Sequence, residues 1–163
     1  MSNEMGSGPI PVTVEGKKKL EEELHRLKSV ERPAVIKAIE EARALGDLSE
    51  NAEYSAAKEK QSFIEGRIQE LNAKLSNCQI IDPSTIKSDK IVFGATVVLT
   101  DQSSDKEVTY QIVGVDEADI KKNKISIVSP LARALIGKKE GDEITVNAPK
   151  GAINYDILKV LYV

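Results

Sequence analysis

The chain reads as an α+β protein, with a helical hairpin followed by a small antiparallel β-sheet domain. Two observations carry this. Composition changes near Ile80, from Glu, Lys, Ala and Leu to Val, Ile, Thr, Gly and Asp. Before that point apolar residues recur at helical steps of three and four; after it they follow short β-rich runs parted by turn residues. The link Asp82-Pro83-Ser84-Thr85 carries turn chemistry and marks the join. The division expected is an unstructured segment over residues 1–12, a coiled-coil hairpin over 13–79 and a globular domain over 80–163.

Thr13 is a plausible N-cap for the first helix, with Glu15 in the first turn where the helix dipole favours an acid. Leu20, Leu24 and Leu27 open an apolar stripe, which slips in phase between Val30 and Pro33 and resumes at Val35, Ile39 and Ala42. Pro33 has no N–H and crowds the preceding turn, so a kink or break is expected there. The second helix is cleaner. Tyr54, Ala57, Gln61, Ile64, Ile68, Leu71 and Leu75 step by three and four as a heptad seam. Two seams joined by a short Gly-containing turn predict a hairpin of two arms. Each arm has about 30 residues, and at about 1.5 Å per residue reaches roughly 45 Å.

In the second half, Ala95 to Thr100 and Glu107 to Val113 flank the polar turn 101–105 as a β-hairpin. Lys124 to Val128 is a third strand. Ser129-Pro130 opens a short helix, Leu131 to Ile136, which Gly137 ends. Glu143 to Val146 and Ala152 to Val163 complete the sheet, joined through residues 147–151. Ile153, Tyr155 and Ile157 hold period two, so one face of the last strand is buried.

Composition excludes several classes of function. The formal charge is −3 with 30% charged residues, which argues against a basic protein that coats nucleic acid. No signal peptide and no membrane span are visible, and the only cysteine, Cys78, permits neither an internal disulfide nor a multi-cysteine zinc site. A cytoplasmic location is expected. Aromatics are 4% of the chain, too few for a large aromatic ligand pocket.

The sharpest feature is the pair Asp47 and Glu50, three residues apart beside Gly46 and between the two arms. Spacing alone also fits a capping box, with an acidic N-cap and a Glu three residues on. At the end of a stalk, however, the pair is far from any core. Two carboxylates suit a hard cation such as Mg²⁺, which keeps waters and shares ligands with phosphate. No His or Cys lies near in sequence, so the pair is expected to be half a site that a partner completes. Arg43 and Lys58 flank the tip, either as solvated surface charges or as phosphate contacts for a nucleic-acid end. Ser129 and Pro130 begin a helix, in a mildly apolar loop that could equally dock a protein.

The run Gly46-Asp47-Leu48-Ser49-Glu50-Asn51-Ala52-Glu53-Tyr54 closely resembles the tip of the bacterial transcript cleavage factors of the GreA/GreB family. Phe63-Ile64-Glu65-Gly66-Arg67-Ile68, Phe93-Gly94-Ala95-Thr96-Val97 and the run from Ile125 to Lys138 resemble the same family. The likeness extends from about Ile10 to Val163. It implies a coiled-coil hairpin and an FKBP-like C-terminal domain, which docks at the rim of the RNA polymerase secondary channel while the hairpin enters it. Asp47 and Glu50 would then hold a Mg²⁺ shared with the polymerase, which itself hydrolyses backtracked RNA; the factor is not an enzyme. The resemblance places Arg43 and Lys58 near the RNA 3′ segment, and Ser129 and Pro130 at the polymerase rim. It implies no cofactor bound by the isolated chain, no membrane partner and a monomer. The near-neutral hairpin favours the GreA type, since GreB-like members carry a larger basic patch. Alternatives are a channel-binding regulator that does not stimulate cleavage, a coiled-coil adaptor whose acids only cap a helix, and a prolyl isomerase, for which Phe93, Tyr110, Tyr155 and Tyr162 would have to line the pocket.

Overall fold

The computed structural model describes residues 9–47 and 50–163. Residues 1–8 of the expected unstructured segment, and Leu48 and Ser49 of the tip, lie outside the described residues. The chain divides into two compact units. One contains Lys17–Cys78; the other contains residues 9–16 together with Gln79–Val163.

In the first unit, one arm is a continuous helical run in three pieces: α1 (Val14–Arg26), a π-helical stretch (Leu27–Glu31) and α2 (Arg32–Arg43). The other arm is α3 (Ala52–Ser76). Cross-arm contacts pair Glu23 with Arg67, Arg32 with Glu65, and Ala42 with Asn51. Partner numbers fall along α3 as they rise along the first arm, so the arms are antiparallel. Ala57, Ile64, Ile68 and Leu71 of α3 are buried, and Tyr54, Gln61 and Leu75 of the same seam half-buried.

The phase slip in the first arm has a definite cause. Leu20, Leu27, Val35, Ile39 and Ala42 are buried, yet Leu27 and Val35 are eight residues apart, not seven. The π turn takes up the extra residue: the Arg32 N–H donates to the carbonyl of Leu27, five back. Pro33 follows in the first turn of α2, where its missing N–H costs least. The expected disturbance at Pro33 therefore takes the form of a widened turn just before it.

In the second unit, β1 (Ile10–Thr13) pairs with β2 (Cys78–Ile81) in a two-stranded sheet. Residues 10–12 thus belong to a strand, which corrects the expectation of an unstructured segment up to residue 12. Cys78 begins β2 and is half-buried. Thr13 caps α1 as expected, its hydroxyl oxygen accepting the Gly16 N–H at 3.0 Å. The Glu117 carboxylate holds this corner, accepting the N–H of Thr13 at 3.1 Å, the Thr13 hydroxyl and the N–H of Gly114 at 2.9 Å.

The main sheet has β3 (Thr96–Asp101), β4 (Glu107–Val113), β5 (Lys124–Ser126), β6 (Glu143–Ala148) and β7 (Gly151–Leu161), in the order β5-β4-β3-β7-β6. All pairs are antiparallel except β4 with β5. The sheet is therefore mostly antiparallel, as expected, and mixed at one edge. The helix α4 (Pro130–Leu135) lies against it, with Ala132 and Leu135 wholly buried beside Ile91, Val97, Leu99, Ile112 and Ile157. Phe93 is buried, and Tyr110, Tyr155 and Tyr162 pack against the core of the sheet. These aromatics serve packing. Among the described residues no helix is long and apolar enough to cross a membrane.

Candidate functional site at the hairpin tip

The helix of the first arm ends at Arg43. The Leu45 N–H turns back to the Ala42 carbonyl at 3.1 Å, and Gly46 adopts φ +119°, a conformation that L side chains rarely reach. An added Cβ there would meet nothing within 4 Å, so backbone freedom, not space, requires glycine. Asp47 follows, and both Asp47 and Glu50 are exposed.

Neither acid caps α3. That role belongs to Asn51, whose side-chain oxygen accepts the Tyr54 N–H at 3.0 Å from an extended backbone (φ −89°, ψ 98°). The capping-box reading of Asp47 and Glu50 is thereby set aside: both precede the N-cap in the loop. Sequence reasoning missed Asn51, although an Asn directly before a helical run is itself a cap signal. Its amide nitrogen also donates to the Ala42 carbonyl at 2.7 Å, tying α3 to the end of α2. These two partners, one donor and one acceptor, define which way the amide faces.

Arg43 is exposed, in the last turn of α2 where a cation is favoured, with its guanidinium 5.9 Å from the centre of the Tyr54 ring. Lys58 is exposed on α3, its ammonium donating to Gln61 at 3.2 Å. Both cations therefore belong to the part of the hairpin that ends in the acids. Among the described residues no three His, Cys, Asp or Glu side chains converge on one point. Asp47 and Glu50 offer hard carboxylate oxygens, which fit Mg²⁺ as a partial ligand set.

Ser129 and Pro130 stand apart from the tip, in the other unit. Ser129 is the N-cap of α4, its hydroxyl accepting the Ala132 N–H at 3.2 Å, and Pro130 is the exposed first residue of that helix. Both thus have a structural role, whatever else they do.

Both parts of the chain match known protein families. Residues 10–80 match the pattern described as "Transcription elongation factor, N-terminal" of GreA/GreB, and residues 86–162 match "Transcription elongation factor, GreA/GreB, C-term". Transcription elongation factor GreA of Halorhodospira halophila is 64% identical over 94% of this chain and 98% of its own length. That of Alkalilimnicola ehrlichii is 62% identical over the same shares. Among solved structures, GreA factor homolog 1 (Gfh1) of Thermus thermophilus aligns over 93% of this chain and 98% of that one, at 27% identity and a TM-score of 0.43. The chain, matched in both halves, belongs to the GreA/GreB family of transcription elongation factors.

Proposed function

We propose that the hairpin enters the secondary channel of RNA polymerase tip first, and that Asp47 and Glu50 complete a Mg²⁺ site there. The polymerase then hydrolyses its own backtracked RNA near the 3′ end, and the stalled complex resumes. The observation that carries this reading is the exposure of both acids in the loop that precedes the cap of α3. Asn51 caps α3, and the two exposed carboxylates lie before that cap, between the two arms. Family membership supplies the partner, since a transcription elongation factor acts on RNA polymerase.

The chemistry divides between the two proteins. A Mg²⁺ held jointly would supply a polarised water for attack on the RNA phosphodiester. This chain contributes charge and placement: Asp47 and Glu50 would supply part of the ion's ligands, and the arms bring them to a centre that the chain does not own. Arg43 and Lys58 neutralise phosphates of the RNA 3′ segment. Ser129 and Pro130, on the globular unit, contact the channel rim. The factor works as a monomer in the cytoplasm, where polymerase is found.

The test is RNA shortening in a stalled, backtracked polymerase complex with the wild-type chain, Asp47→Ala, Glu50→Ala or no factor. Wild type is expected to shorten the transcript, and each variant to bind polymerase while losing most of the effect. If a folded double variant still stimulates cleavage, the tip acids do not carry the function. A wild-type chain that binds without shortening the RNA is a channel-occupying regulator instead.

A further inference from the structure

We infer that Asn51 is a positioning residue for the tip carboxylates, its one amide capping α3 and tying that helix to the end of α2. This rests on the reading of the tip given above. Asn51 accepts the Tyr54 N–H through its oxygen at 3.0 Å and donates through its nitrogen to the Ala42 carbonyl at 2.7 Å. Ala42 is 2% exposed, the last buried residue of its arm, so it is a fixed point. Glu50 is the residue directly before Asn51, and Asp47 follows Ala42 by five residues, so the tie holds the chain on either side of the two acids. Two points of a chain held at a fixed distance narrow the places that the residues next to them can occupy. The Arg43 guanidinium beside the Tyr54 ring makes a second link between the same two helix ends.

The amide is chemically specific for the double task. Aspartate would cap α3 equally well but has no hydrogen to donate to Ala42. Serine would also cap, but its shorter side chain cannot span to the carbonyl while capping. Both substitutions therefore keep the helix start and cut the tie. A displacement of about 1 Å in a catalytic group can cost about a hundredfold in rate, so the loss should appear in the reaction and not in the fold.

The experiment compares wild type, Asn51→Asp and Asn51→Ser in the backtracked-complex cleavage assay across factor concentrations. The expected result is a maximal cleavage rate lowered about tenfold or more in both variants. The factor concentration giving half the effect, and the melting temperature, should stay at the wild-type values. Asp and Ser differ in charge, so a shared loss reports the missing tie. A variant that reaches the wild-type maximal rate overturns the inference, as does a loss wholly explained by a raised half-effect concentration. A wild-type chain that binds polymerase without cleaving overturns the tip reading and this inference with it.

Discussion

Arg67 of α3 grips Glu23 of α1 at two points, Nε to Oε1 at 2.8 Å and Nη2 to Oε2 at 2.9 Å. The same guanidinium reaches Glu70 one turn along its own helix at 3.2 Å. Nearer the tip, Arg32 grips Glu65 in the same way, at 2.7 and 2.9 Å. A flat fork meeting a carboxylate at two points fixes direction as well as distance. The arms are thus held in register by charge as well as by the apolar seam.

These contacts make the hairpin sensitive to acid. The hydrogen bond from Arg67 holds the Glu23 carboxyl below its usual range, and Arg32 does the same for Glu65. Glu70 is lowered chiefly by Lys74 and then by Arg67. Because the folded-state values are depressed, the stabilisation is complete above the unfolded value of about 4.3 and fades as pH falls below it. Thermal melts followed by helical circular dichroism should be level from neutrality to about pH 5 and decline below about pH 4. A melting temperature unchanged down to pH 3 would refute this.

Arg67→Lys should weaken the grip although the charge is kept, because an ammonium cannot make the two-point contact. The side chains are 24% and 30% exposed, so the loss should be modest, about 0.5–1 kcal/mol. A double-mutant cycle with Glu23→Gln in urea measures the coupling, and zero coupling would show that the pair adds nothing to register.

Stability should separate the cap from the acids. Asn51→Ala removes the α3 cap and should cost about 1 kcal/mol. Asp47→Ala, at an exposed position before the cap, should change the urea midpoint by less than about 0.5 kcal/mol. The reverse order would restore the capping-box reading.

At α4 the capping role of Ser129 can be parted from the docking role proposed for it. Ser129→Asp keeps an acceptor for the Ala132 N–H, whereas Ser129→Ala loses it at a cost of about 1 kcal/mol. If this loop meets the polymerase rim, the Asp variant should hold its melting temperature and lose affinity for polymerase. Unchanged affinity in a pull-down titration would remove Ser129 from the docking surface.

The parts legible in the sequence are those written in local spacing. The α3 seam steps by three and four, and each of its seven positions is buried or half-buried. Likewise β4 spans Glu107–Val113, where alternation and flanking turn residues had placed it. Pairings distant along the chain were not legible. The strands β1 and β2 are four residues each and meet across the whole length of the hairpin, so neither carries enough pattern to show itself. The parallel pairing of β5 to β4 leaves no mark that alternation could reveal. At the tip, Asp47 and Glu50 stood out as a pair, but their spacing imitated a cap and drew attention from Asn51, the actual one.

The π turn before Pro33 has a bearing on how arms of this kind can change in length. In a regular helix each added or lost residue turns everything beyond it by about 100°. Here a surplus residue is absorbed as one wide turn, and Val35, Ile39 and Ala42 still face α3. Deleting one residue in this stretch, where Val30 is 58% exposed, would restore a regular turn with a seven-residue step between the buried positions. The same change within the unbroken seam of α3 would swing its apolar stripe out of register. The first arm is therefore the one in which length can drift, and the second is the one that keeps count.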